Sequence, residues 1–145
     1  MTRRSGVLLP EILSLALLLG ILASVIIPKI SGVGPGSRSS TLARDLRTMR
    51  SRIERYKRHH NGELPAAKGE NSDRFLCRMV RKTNVDGDPG IEFGPYLQRL
   101  PVNPFNGLRA VRIDGASAGT NIAGWRFDTR TGAFQADDSP GHAAF

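Results

Sequence analysis

One carboxylate, Glu11, stands inside an otherwise apolar run, residues 7–28 (VLLPEILSLALLLGILASVIIP). A charge within a membrane-spanning helix costs about 2.5–3.5 kcal/mol on insertion scales, so it needs a partner or a task. The spacing supplies a partner. Cleavage after Gly6 would make Val7 the first residue, with a free ammonium group, and Glu11 lies four positions on, one helical turn away. The carboxylate would meet that ammonium within its own chain, or in a neighbouring chain staggered along an assembly. The positive end of the helix dipole favours an acid there as well. Pro10 falls in the same first turn, where its missing N–H costs little. If the chain is cut after Gly6, the chemistry open to Val7 and Glu11 is charge pairing.

The element that positions these residues is the run itself. Its 22 residues match the roughly 20 that a helix needs to cross a bilayer core. A secretory signal fits poorly, because its apolar region is about 7–15 residues long and ends at a small-x-small cleavage site. Here Val25, Ile26, Ile27 and Pro28 close the run. A plain single-pass anchor fits the length and leaves Glu11 unexplained.

Arg3-Arg4-Ser5-Gly6 followed by Val7-Leu8-Leu9-Pro10-Glu11-Ile12-Leu13 resembles the signal of the type IV pilin class, which includes the pseudopilins of type II secretion. The resemblance implies that a prepilin peptidase cuts after Gly6, that the same enzyme N-methylates Val7, and that Glu11 guides subunit docking into a helical filament. It continues through Gly20-Ile21-Leu22-Ala23 to Pro28. Two residues depart from the usual pattern: Val7 stands for Phe or Met, and Pro10 for an aliphatic residue. The implied partners are the peptidase, identical or homologous subunits, an inner-membrane assembly platform and the lipid bilayer. The implied location is the cytoplasmic membrane, single-pass, with the N-terminus cytoplasmic and the head outside, and then a filament. The basic residues do not themselves give that orientation, since Lys29, Arg38, Arg44 and Arg47 follow the run and outnumber Arg3 and Arg4 before it.

The chain has 145 residues, a formal charge of +8 and one cysteine, Cys77. This suits one small domain beside the apolar segment and excludes an internal disulfide. Cys77, between Leu76 and Arg78, reads as a small buried hydrophobe. The organisation expected is a leader at 1–6, an assembly helix at 7–30, a Gly/Pro-rich stretch at 31–37 and a globular head at 38–145. The stretch at 31–37 disfavours continuous helix. It reads equally as a linker or as a point where the helix softens.

A second helix is expected from Ser39 or Ser40. Leu42, Leu46, Met49, Ile53 and Tyr56 recur at spacings of four and three, one apolar stripe. Its other faces carry Arg44, Arg47, Arg50, Arg52, Arg55, Lys57 and Arg58 against Asp45 and Glu54. Two readings follow: a solvated face that pairs with acidic patches on neighbouring subunits, or a membrane-anchored module that binds DNA or another polyanion. No set of stacking aromatics accompanies the arginines, which disfavours nucleic acid. Asn61-Gly62 and Pro65 end the helix, and the turn is similar to that of major pseudopilins. His59 and His60 read as a solvent-facing pair with no third metal ligand.

Residues 73–82 read as a short helix with Phe75, Leu76, Met79 and Val80 on one face. Residues 84–90 read as a turn. Some pseudopilins bind calcium in a loop, and Asp86 and Asp88 are the residues to which that resemblance would extend. The spacing lacks the distal bidentate Glu of an EF-hand, and an ordinary turn with no cofactor is the reading preferred. The string Leu100-Pro101-Val102-Asn103-Pro104-Phe105-Asn106-Gly107 resembles the Leu-Pro-x-Asp-Pro-Trp-Gly string of major pseudopilins, with Phe105 in the Trp position. Strands are expected at 108–113, 124–128 and 132–136, the last two as a hairpin, with Trp125, Phe127 and Phe134 facing the Leu42–Tyr56 stripe. Residues from Asp137 on read as a polar tail. The fold class expected is α+β: a long N-terminal membrane-spanning helix carrying a small head in which an amphipathic helix packs on an antiparallel sheet. No phosphate loop, nucleophile–base order or Cys/His metal spacing occurs, so the chain reads as a structural protein and not an enzyme.

Overall fold

The computed structural model describes residues 35–145, together with Pro10, Leu13 and Leu17. The chain divides into two units, Met1–Ser37 and Arg38–Phe145, and nearly all the described elements belong to the second.

Helix α1, Pro35–His59, begins about four residues earlier than the sequence suggests. Proline is favoured in a first helical turn, where its fixed φ suits the helix and no N–H partner is lost. Pro35 lies in the first described turn of this helix, where the sequence reading let it interrupt one. Leu42, Leu46, Met49, Ile53 and Tyr56 are each no more than 1% exposed, so the whole stripe lies in the core. Full burial of such side chains stabilises by about 1.5–3 kcal/mol each. The helix stops as expected: Asn61 and Gly62 take positive φ (53° and 90°), and Gly62 N–H donates to the Lys57 carbonyl at 2.8 Å.

Helix α2, Ser72–Val80, is capped by Asn71, whose Oδ1 accepts from Arg74 N–H at 3.0 Å. Phe75 and Met79, one turn apart, are buried. Cys77 sits on the opposite face and is exposed, which corrects the buried reading. Two residues along a helix is a turn of about 200°, so a residue midway between two core positions must point outward.

Three strands form one sheet in the order β1 (Val111–Ile113), β2 (Trp125–Phe127), β3 (Phe134–Ala136). The sheet is mixed, not antiparallel throughout. β2 and β3 are an antiparallel hairpin, with Phe127 opposite Phe134. β1 runs parallel to β2, Arg112 opposite Arg126. A parallel pair needs a connection that travels back along the sheet, and residues 114–124 make it. Trp125, Phe127, Phe134 and Ala136 face inward and are fully buried with the α1 stripe and Phe75 in one apolar cluster. Gly124 makes the parallel pairing sterically feasible, because a Cβ there would collide with the Leu108 carbonyl.

The last residues are not a polar tail. Asp137 is fully buried, and Ser139 caps a short helix α3, Pro140–Ala143. Its His142 ring lies 4.0 Å from that of Phe105.

Candidate functional site

Gly6, Val7 and Glu11 lie outside the described residues, as do the other expectations placed on residues 1–9 and 18–34. Of the apolar run, Pro10, Leu13 and Leu17 are described; all are helical and exposed. Among the described residues no helix is long and apolar enough to cross a membrane.

The described unit offers three polar constellations. The first is the basic surface of α1, whose arginines serve different ends. Arg50 Nε donates to the Phe134 carbonyl at 3.1 Å and Nη1 to the Phe145 carbonyl at 2.8 Å, fastening the helix to β3 and the last residue. Lys57 pairs with Glu54 at 3.1 Å and Arg44 with Asp45 at 3.6 Å. Arg47, Arg55 and Arg58 are exposed. Tyr56 is buried on the opposite face and offers no stacking surface beside them.

The second constellation is the histidine pair, of which His60 is buried and His59 half-buried. His60 is 1% exposed. Its ring stacks on Tyr56 at 3.8 Å, and its Nδ1 lies 2.9 Å from the Val85 carbonyl. A carbonyl only accepts, so Nδ1 carries the proton. Nε2 then accepts, and it lies 3.2 Å from the Tyr96 hydroxyl and 3.3 Å from that of Thr83. His59 Nδ1 reaches the same Tyr96 hydroxyl at 3.0 Å. Partial burial, then the charge of Arg55, lowers the His59 pKa. Burial pushes the Tyr56 phenol up to about 12. These groups lock the end of α1 to the 83–96 segment.

The third constellation surrounds Asp137. Its carboxylate accepts from Arg112 Nη2 at 2.7 Å and Nε at 3.2 Å, from Gly119 N–H at 3.0 Å, from the Thr120 hydroxyl at 3.1 Å and from Ala123 N–H at 3.3 Å. Burial alone would raise its pKa; the hydrogen bonds from Arg112, Gly119 and Thr120 outweigh that and hold it below the usual carboxylate value. Asn103 extends the network, donating to the Gly124 carbonyl and to Asp138 Oδ1, each at 2.8 Å. On the adjoining strand, Arg126 pairs with Asp128 at 3.1 Å, while its Nε has no partner among the described residues.

The polar atoms of the 84–90 turn are committed to hydrogen bonds and an ion pair within the head. Asp88 Oδ1 is taken by Arg74 Nη2 at 2.8 Å, and Asn84 Oδ1 by the N–H groups of Asp86 and Asp88 at 3.1 and 2.9 Å. Among the described residues no three His, Cys, Asp or Glu gather around a common point. A cleft of about 460 Å³ between α2 and β1 is lined by Leu76, Val80, Leu100 and Val111 together with Ser72, Asp73, Arg99 and Arg109.

The chain aligns over 104 residues with the type II secretion system core protein G of Aeromonas hydrophila, at 26% identity, covering 71% of this chain and 68% of that protein. It is similar to a type II secretion pseudopilin. That relative's name describes a core protein of a secretion machine, not an enzyme. No family model and no solved structure matches. The resemblance to pseudopilins read from the sequence therefore agrees in family with a relative aligned over 71% of the chain.

Sequence reasoning missed the residues that organise the head: His60, Arg112, Asn103 and Asp137. Asn103 alone carried a signal, as the Asn of the Leu-Pro-x-Asn-Pro string. The others looked like surface residues because their partners lie 25 or more positions away for the His60–Val85 and Arg112–Asp137 pairs.

Proposed function

We propose that this chain is a structural subunit of a type II secretion pseudopilus or a type IV pilus-like filament. The similarity to core protein G over 71% of the chain carries the reading. On this reading a prepilin peptidase cuts after Gly6, Val7 becomes the N-terminal residue and is N-methylated, and residues 7–28 enter the membrane as the assembly helix. Glu11 then meets the ammonium of a neighbouring Val7 and sets the stagger between subunits. Pairing two charges in a low-dielectric core offsets the cost of placing either one there alone. The head, described from Arg38 on, is displayed outside the cytoplasmic membrane. The name of the relative, together with the Asn61-Gly62 turn and the Leu100–Gly107 string, favours the pseudopilus over the pilus.

Intact mass and N-terminal sequencing of the protein from its native membrane test the processing step. A chain beginning at Val7, with or without one methyl group, supports it; a chain beginning at Met1 in cells that contain the peptidase overturns it. Glu11→Ala tests docking. Filaments should be lost while the membrane-inserted subunit accumulates at normal level, and normal assembly of this variant would remove Glu11 from the docking step.

A further inference from the structure

The Arg112 side chain occupies an unusual setting. A guanidinium has five N–H donors. Here Nη1 donates to the carbonyls of Asp114 and Ala116 at 2.8 and 2.7 Å, Nη2 to the Ser117 carbonyl at 3.2 Å and to Asp137 Oδ1 at 2.7 Å, and Nε to Asp137 Oδ2 at 3.2 Å. Every donor is used. Every acceptor belongs to the 114–117 bend or to the buried carboxylate that gathers the rest of the same loop. Three backbone carbonyls and both oxygens of a carboxylate converging on one positive charge is the donor set that hard divalent cations select.

We infer that Arg112 is a built-in substitute for a divalent cation: it closes the 114–124 connection from within, so the head reaches its fold without metal. Charge balance argues the same way. Among the described residues Asp137 is the carboxylate that accepts from the guanidinium, while Asp114 turns its own toward Thr129, accepting from the N–H and hydroxyl at 2.7 Å each. One positive charge neutralises one buried carboxylate, whereas a divalent ion would leave a net charge in the same pocket. The guanidinium is also tethered to β1, so its seat is filled whenever β1 pairs with β2. This inference stands whether or not the chain assembles into filaments.

Thermal melts of the full-length chain in detergent, with EDTA or with millimolar calcium chloride, test it. The wild-type Tm should be the same in both; a rise of several degrees with calcium, or a fall with chelator, overturns the inference. Arg112→Met should lower Tm by roughly 10 °C or more in EDTA, and calcium should recover part of that loss. A folded Arg112→Met protein that calcium does not stabilise, or one that melts at the wild-type temperature, overturns it. If Arg112→Met fails to fold in either buffer, the wild-type comparison decides.

Discussion

The Tyr96 hydroxyl lies 3.2 Å from His60 Nε2 and 3.0 Å from His59 Nδ1, so one phenol joins two successive residues at the end of α1 to a segment 36 positions away. Replacing His60 with Leu would keep apolar volume while stranding the buried Thr83 hydroxyl and removing the ring partner of the Val85 carbonyl; the Tyr96 hydroxyl would keep His59 Nδ1. Unsatisfied buried polar groups cost about 1–3 kcal/mol each when water cannot reach them. We expect His60→Leu to lose about 2–3 kcal/mol in denaturant melts; a loss under about 0.5 kcal/mol would mean the buried hydrogen bonds contribute little.

The pH dependence separates into two windows. His59 has its pKa lowered from the ordinary 6.5 by partial burial and by Arg55, His60 and Arg58. The unfolded chain then binds the proton more readily, so between the lowered value and 6.5 stability rises with pH. Tm should fall as pH drops from about 7 to about 5. His59→Gln should make that fall shallower. Asp137 and Asp128 have lowered pKa values, so their contribution is complete above 3.8 and is lost as pH falls through the lowered values. Asp137→Asn should flatten stability below about pH 4, measured as the Tm difference from wild type.

Cys77 and Met79 are two positions apart on α2 and should behave oppositely. The exposed thiol of Cys77 should react with a maleimide in the native protein, and Cys77→Ser should shift stability by no more than about 0.5 kcal/mol. Met79→Ala should cost about 2–5 kcal/mol, because Met79 is fully buried. Labelling of Cys77 only after denaturation would contradict its placement on the outer face.

Arg50 and Arg47 look alike in sequence, and chemical denaturation should tell them apart. Arg50→Ala removes two hydrogen bonds to carbonyls of Phe134 and Phe145 and should cost about 1–3 kcal/mol. Arg47→Ala should stay within about 0.5 kcal/mol. Equal effects would show that the Arg50 contacts contribute nothing beyond surface charge.

The contrast between these arginines explains what the sequence made legible. The α1 stripe, the Asn61-Gly62 stop, the face of α2 and the inward aromatics of β2 and β3 follow from periods of 3.6 and 2 and from turn chemistry, all of which act over a few residues. The parallel pairing of β1 did not follow, because it depends on the 114–124 connection, which has no period and is shaped by Arg112 and Asp137 across 25 positions. The burial of His60 was hidden for the same reason. A polar residue looks like surface until its distant partners are known. Gly6, Val7 and Glu11 lie outside the described residues, and their reading rests on the resemblance of a short local signal.

The brevity of the strands bears on crowding. An unpaired strand edge is a template onto which another chain can add, and membrane proteins held at high local density are exposed to that hazard. Each outer strand of this sheet runs only three residues, α2 packs beside β1, and α3 packs beside β3. A foreign strand would gain few backbone bonds before meeting a helix. On the proposed filament reading, heads held side by side would not polymerise through their sheets, which would leave the choice of neighbour to other surfaces.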